Sequence, residues 1–160
     1  MSEWPELVER VLTFLSEAGA EARVEEFAEG TATAEDAAKA LGCDPALIVK
    51  TLVFECDGRP VLVLVPGDRR ASARKVAGAL GASRARIASP MQVEETTGFA
   101  PGGVAPFPLR VRAHALIDQS LLTHPLVWTG AGSPLHMVGI SPAELVRLTR
   151  ANAMDVIDDG

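Results

Sequence analysis

The stretch that decides the fold is Leu-Ile-Val-Lys-Thr-Leu-Val-Phe, residues 47–54. Its β-branched and aromatic residues lie between Pro45 and an Asp57-Gly58 turn, and this pattern predicts a β-strand. Side chains alternate between the two faces of a strand, and here both faces are mostly apolar. We therefore predict an inner strand that other elements cover on both sides. The Asp57-Gly58 pair is also a hairpin signal, so residues 61–65 should return antiparallel to this strand.

Lys50 is the charged residue within this strand. An ammonium group without a partner is costly to bury, so the side chain either reaches the rim of the sheet or lines a cavity that needs a positive charge. In a cavity, a protonated amine would hold a phosphate or stabilise a developing oxyanion. A desolvated amine would have a lowered pKa and act as a base. The residues alone leave these alternatives open.

Length and charge limit the functional classes. The chain has 160 residues, which suits a single domain with a substantial core. Its net charge is −6, but residues 59–112 hold nine basic and three acidic residues. This basic part could bind a phosphate backbone. The negative net charge of the whole chain argues against a general nucleic-acid binder, and we expect no DNA partner. Aromatic residues make up only 4%, which argues against stacking of single-stranded bases.

The cysteines, histidines and N-terminus indicate the cell compartment and the absence of a metal site. Cys43 and Cys56 have no metal-binding or redox spacing, and the three histidines lack the spacing of zinc ligands. The acidic N-terminus does not resemble a signal peptide, and no apolar run is long enough to cross a bilayer. We expect a cytoplasmic protein with no metal, no cofactor and no membrane partner.

Capping and periodicity signals predict five helices, at residues 5–18, 33–41, 72–80, 89–98 and 141–149. The predicted strands lie at residues 23–27, 47–54, 61–65, 86–88, 109–113, 116–118, 126–129, 136–140 and 154–157. Strands interleaved with helices in this order predict an α+β fold, with a curved mixed sheet or partial barrel and the helices outside.

Two glycine-bearing segments are candidates for ligand binding. Residues 98–108, Gly-Phe-Ala-Pro-Gly-Gly-Val-Ala-Pro-Phe-Pro, are too rich in glycine and proline for a helix or an inner strand. Gly102 and Gly103 would let backbone amides approach a ligand closely, although a rigid connector is the alternative. A second glycine turn spans residues 130–134, and His136 follows it, where it could face a pocket.

The densest basic stretch consists of Arg69, Arg70, Arg74 and Lys75. A solvated helix face is the default interpretation of such a stretch. It is also the surface of this chain best suited to bind a nucleic-acid backbone.

Four segments together resemble the YbaK/prolyl-tRNA editing family: residues 49–53, 75–82, 98–106 and 117–118. The resemblance implies an α+β fold with a mixed, mostly antiparallel, barrel-like sheet surrounded by helices, and one editing domain over residues 1–160. It also implies a metal-free hydrolase that removes the wrong amino acid from mischarged aminoacyl-tRNA. Prolyl-tRNA synthetase is then a candidate partner.

The same resemblance assigns site residues. Lys50 matches the strand lysine on which activity in the family depends. The other matches are assigned to substrate binding. The loop that shapes the amino-acid pocket in the family is matched by Gly102, Gly103, Val104 and Pro106. The glycine turn that helps to seat the terminal adenosine is matched by Thr129 and Gly130. Phe27 and His136 are also assigned to substrate binding. They stand where cysteinyl-tRNA-Pro deacylases have a tyrosine and an aspartate, so cysteinyl specificity is open while the deacylase class is retained.

The resemblance therefore implies a trans-editing hydrolase, which deacylates tRNA-Pro carrying a small non-cognate amino acid by substrate-assisted ester hydrolysis. An already activated ester needs positioning and charge stabilisation more than a nucleophilic side chain. The alternative is a non-catalytic module that binds a tRNA end or an amino acid. A third option is an interaction domain whose acidic N-terminal part docks on a synthetase.

Overall fold

A hairpin of two strands, β2 (Ile48–Cys56) and β3 (Arg59–Pro66), lies at the centre of the sheet in the computed structural model, which describes residues 4–159. Asp57 and Gly58 form its turn with φ values of 49° and 85°, as a two-residue hairpin turn requires. The two strands pair antiparallel along their length. The predicted strand and its antiparallel return are confirmed.

Six further strands complete the sheet: β1 (Ala22–Glu26), β4 (Ala85–Ile87), β5 (His114–Asp118), β6 (Val127–Gly130), β7 (His136–Ile140) and β8 (Asn152–Met154). The order is β1-β7-β6-β2-β3-β5-β8, and β4 pairs with the second half of β2. The β2–β6, β3–β5 and β5–β8 pairs are parallel, and the other four pairs are antiparallel. The predicted α+β class with a mixed sheet is confirmed.

The five predicted helices are present: α1 (Glu6–Glu17), α2 (Ala34–Leu41), α3 (Ala73–Leu80), α4 (Pro90–Thr97) and α5 (Pro142–Thr149). Side-chain oxygens cap four of them at the N-terminus, those of Thr33, Ser72, Ser89 and Ser141. Ser89 and Gln92 form a full capping box at α4. None of the helices within residues 4–159 is long and apolar enough to span a membrane.

Strand β2 has packed side chains on both faces, as predicted. Val49 and Val53 belong to the largest buried cluster, which α1 also joins. On the opposite face, Phe54 packs with Val76 of α3, and Ile48 packs with the alanines of α2. Lys50 therefore lies on the second face, between the part that α2 covers and the part that α3 covers.

Two strand predictions are wrong in position. Residues 109–113 form no strand, because the N–H groups of Arg110 and Val111 both donate to the Thr96 carbonyl at the end of α4. These peptide groups are thus bound to a helix end, not to a sheet neighbour. The last strand lies at Asn152–Met154 and not at residues 154–157, since the chain then turns and the Val156 N–H donates to the Asp118 carboxylate.

Candidate active site

The sheet has a gap on one side of β2. Strand β6 pairs with β2 at Ile48 and Val49, and β4 pairs with it from Phe54 onward. Between these two neighbours the edge of β2 faces a cavity of about 460 Å³. The lining comes from residues 31–34 and Ala37, residues 48–53 of β2, Ile87, Ala88, Pro90, Val93, Pro101, Gly102, Val104, Gly130 and Met137.

Lys50 lines this cavity, and its side chain is half-buried. Its Nζ donates a hydrogen bond to the carbonyl of Arg69 at 2.6 Å. Burial is the main reason that the pKa of Lys50 lies below its ordinary value. The negative charge of Asp68 raises this pKa, and the positive charge of Arg70 lowers it further. An ammonium group has three donors, so those that the Arg69 carbonyl does not use remain for a ligand.

The loop that carries the Arg69 carbonyl is hydrogen-bonded to residues 156–158 near the C-terminus. The Arg69 guanidinium donates to the Asp158 carbonyl at 2.7 Å, and the Asp158 N–H donates to the Arg70 carbonyl at 2.8 Å. The Ser72 N–H donates to the Val156 carbonyl in the same way. These bonds fix the backbone from which the acceptor of Lys50 projects.

Lys75 differs from the other predicted tRNA-binding residues because its charge is paired inside the protein. Its Nζ lies 2.6 Å from Asp159 and 2.9 Å from Asp155, and it also donates to the Ile157 carbonyl at 2.7 Å. The hydrogen bonds to Asp159 and Asp155 raise the pKa of Lys75. Arg70 and Arg74 are exposed, and Arg69 is half-buried.

The two glycine segments pack against each other and form one wall of the cavity. A Cβ on Gly103 would lie 2.7 Å from three backbone atoms of Ser133, and one on Gly130 would overlap the carbonyl of Val104. The Gly132 N–H donates to the Gly103 carbonyl at 2.8 Å. Gly102, Val104 and Gly130 line the cavity, whereas Gly103 and Pro106 are buried residues that do not appear in its lining.

Phe27 and Thr129 do not line the cavity either. The Phe27 ring meets Trp128 edge-on, with 6.3 Å between the ring centroids. Thr129 is buried, and its Oγ1 lies 3.3 Å from Oγ1 of Thr51, a residue that does line the cavity. Phe27 packs against the buried cluster that contains the cavity residues Ile48 and Met137. The binding roles assigned to Phe27 and Thr129 stay predictions.

His136 lies in a separate buried position, with 1% of its surface exposed. Its Nδ1 is 2.5 Å from Oγ of Ser133. Its Nε2 is 3.3 Å from the Glu26 carboxylate but is not aligned for a hydrogen bond. The Trp4 ring packs edge-on at 4.9 Å. His136 is not among the residues that line the cavity, and the substrate-binding role assigned to it stays a prediction.

Sequence reasoning missed the opposite wall of the cavity, which residues 31–34 and the β4–α4 segment supply. The capping pattern at Thr33 located the start of α2 correctly. It gave no indication that this helix start faces Lys50, because capping signals report local backbone and not tertiary neighbours.

The sequence pattern of the aminoacyl-tRNA editing domain matches residues 28–148. The chain therefore belongs to the aminoacyl-tRNA editing domain family, and the predicted YbaK/prolyl-tRNA editing resemblance is confirmed.

Individual relatives agree with this assignment. The uncharacterized protein YwhH of Bacillus subtilis is 34% identical over 136 residues, which cover 84% of this chain and 86% of YwhH. A proline–tRNA ligase of Nitratidesulfovibrio vulgaris is 34% identical over 134 residues, 81% of this chain but only 22% of the ligase. The chain thus corresponds to a small part of that enzyme.

A solved structure is also similar over nearly the whole chain. It is described as that of "a putative trans-editing enzyme for prolyl tRNA synthetase". The two share 35% sequence identity with a TM-score of 0.91, over 98% of this chain and 99% of that one.

Proposed function

We propose that this protein is a trans-editing deacylase that hydrolyses the ester of mischarged aminoacyl-tRNA, with tRNA-Pro carrying a small non-cognate amino acid as its substrate. The main support is the position of Lys50, a half-buried ammonium group in the wall of a cavity that both glycine segments help to close. Membership of the editing family and the similarity to proline–tRNA ligase support the substrate class.

The proposed reaction is attack of water on the ester carbonyl carbon. The bond from this carbon to the ribose oxygen breaks, and the ribose oxygen takes up a proton that the water gives up. The amino acid and an intact tRNA leave. A free hydroxyl of the terminal ribose, or the α-amine, orients the water, so the protein needs no nucleophilic side chain.

Lys50 supplies positive charge in this scheme. Its Arg69 contact directs the amine and leaves donors for an oxygen of the terminal nucleotide or for the negative charge that develops on the carbonyl. Charge–charge interactions are stronger in a partly dehydrated cavity than in water, so a single well-placed ammonium has a large effect there.

The tRNA backbone would cross the exposed Arg70 and Arg74 side chains, next to the loop that holds Lys50. Lys75 contributes least to this surface because two carboxylates already pair with it. Prolyl-tRNA synthetase is the candidate protein partner, since it would supply the mischarged tRNA, and the proposed location is the cytoplasm.

The decisive experiment is a deacylation panel. Alanyl-, cysteinyl- and seryl-tRNA-Pro are compared with prolyl-tRNA-Pro in single-turnover reactions. We expect hydrolysis of at least one mischarged species well above its spontaneous rate, and little of the cognate one. One methylene changes discrimination by about 1–3 kcal/mol, so the rates should follow side-chain size. Tight binding across the panel without any hydrolysis would instead establish a binding module.

The reaction should depend on pH through Lys50. The amine carries its charge below its pKa, and burial lowers this pKa, so the charge is lost at a lower pH than for an ordinary lysine. We expect kcat/KM, corrected for spontaneous ester hydrolysis, to fall as the pH rises through the lowered pKa. A rate that instead rises through this pKa would show that the neutral amine acts as a base.

A further inference from the structure

The backbone of Thr51 points into the cavity. In β2, the Ile48 carbonyl accepts the Gly67 N–H on the β3 side, whereas the Val53 carbonyl accepts the Ala88 N–H on the other side. Peptide groups along a strand alternate between its two edges with a period of two residues. Thr51 shares the direction of Val53, so its N–H and C=O both face away from β3.

Neither neighbouring strand pairs with the backbone of Thr51 on that side. Strand β6 pairs with β2 as far as Val49, and β4 begins to pair at Phe54. The cavity occupies the space between them. Thr51 therefore offers one donor and one acceptor at a strand edge, the arrangement to which another extended segment binds.

We propose that the aminoacyl group of the substrate binds here as a strand of one residue. This inference rests on the proposed deacylase function. The α-ammonium group of the substrate donates to the Thr51 carbonyl, and the ester carbonyl of the substrate accepts the Thr51 N–H. Residues directly opposite each other in an antiparallel pair exchange these same two bonds, and an α-amino ester carries both groups on one Cα.

This binding mode recognises an α-amino ester whatever its side chain is. The amino acid side chain then projects from the strand edge into the cavity, where the walls select its size. The Thr51 N–H would also stabilise negative charge on the carbonyl oxygen as water adds to it. The contact between Oγ1 of Thr51 and Oγ1 of Thr129, at 3.3 Å, holds this point of β2 against β6.

Amide hydrogen exchange measured by NMR tests the proposal residue by residue. The probe is 3′-deoxy-3′-(L-alanylamino)adenosine, which carries the α-amine and the carbonyl on a bond that water does not cleave. In the free protein the Thr51 amide should exchange faster than the Leu52 amide, which faces β3. Saturation with the probe should slow exchange at Thr51 by about tenfold or more, since one hydrogen bond to a charged or polar partner has that effect. Leu52 is the internal control and should not change.

The inference and the proposed function fail in different ways. Probe-dependent shifts at Val104 and Gly130 without slower exchange at Thr51 would overturn this binding mode and leave the deacylase standing. A second measurement uses propionyl-tRNA-Pro, which lacks the amine. Relative to spontaneous hydrolysis, the protein should accelerate its cleavage at least about tenfold less than that of alanyl-tRNA-Pro. Equal acceleration of both esters would overturn the amine contact, whereas no acceleration of any mischarged species in the deacylation panel would refute the deacylase itself.

Discussion

Replacement of Lys50 by Met should remove most deacylase activity and leave the fold intact. We expect kcat/KM to fall by about 10²–10³-fold, the usual effect of losing one group that stabilises developing charge in a dehydrated site. Met is unbranched and replaces all of the lysine side chain except its terminal nitrogen, so most of the volume between the parts of β2 that α2 and α3 cover stays filled. The measurement is single-turnover hydrolysis of the best mischarged tRNA from the panel, with wild type and variant at equal concentration.

Two variants control this result. Lys39 is exposed on α2 and carries the same charge, so K39M should keep wild-type activity. K50R keeps the charge but replaces a compact ammonium with a planar fork that does not fit the 2.6 Å contact to the Arg69 carbonyl, and it should not restore activity. Wild-type rates in a folded K50M protein would remove Lys50 from the mechanism.

Local signals predicted the parts of the fold that local chemistry determines. The Asp57-Gly58 pair can adopt positive φ values, so the hairpin followed from two residues. Ser89 and Gln92 cap each other across one turn, so α4 begins where their spacing indicated. Such contacts lie within a few residues, and the sequence therefore displays both partners at once.

Contacts between distant segments could not be predicted in this way. Lys75 was assigned to an exposed basic face, but its partners Asp155 and Asp159 lie 80 and 84 residues further along the chain. The acceptor of Lys50 is a backbone carbonyl, which has no residue type to recognise. His136 was placed near a pocket by its neighbours in sequence, whereas its surroundings are set by Glu26 and the loop before β7.

The Gly103→Ala substitution should damage both the fold and the activity, because Gly103 touches the second glycine segment through its backbone. The new Cβ would lie 2.7 Å from the N, Cα and carbonyl carbon of Ser133, atoms that cannot turn aside as a side chain can. We expect the free energy of unfolding to fall by about 1–3 kcal/mol. Separation of the two segments would also shift Val104 and Gly130 in the cavity wall, and a misplacement of about 1 Å can cost about 10²-fold in rate.

Gly78→Ala is the matched control, since it adds the same methyl group elsewhere. Gly78 lies on the exposed side of α3, and a Cβ there would meet no heavy atom within 4 Å. Alanine in a helix is about 0.5–1 kcal/mol better than glycine, so this variant should unfold at a slightly higher temperature and keep full activity. Thermal unfolding and single-turnover hydrolysis of both variants separate the two cases. A G103A protein as stable and active as wild type would mean that the glycine segments are not in contact, and the cavity wall built from them would have to be abandoned.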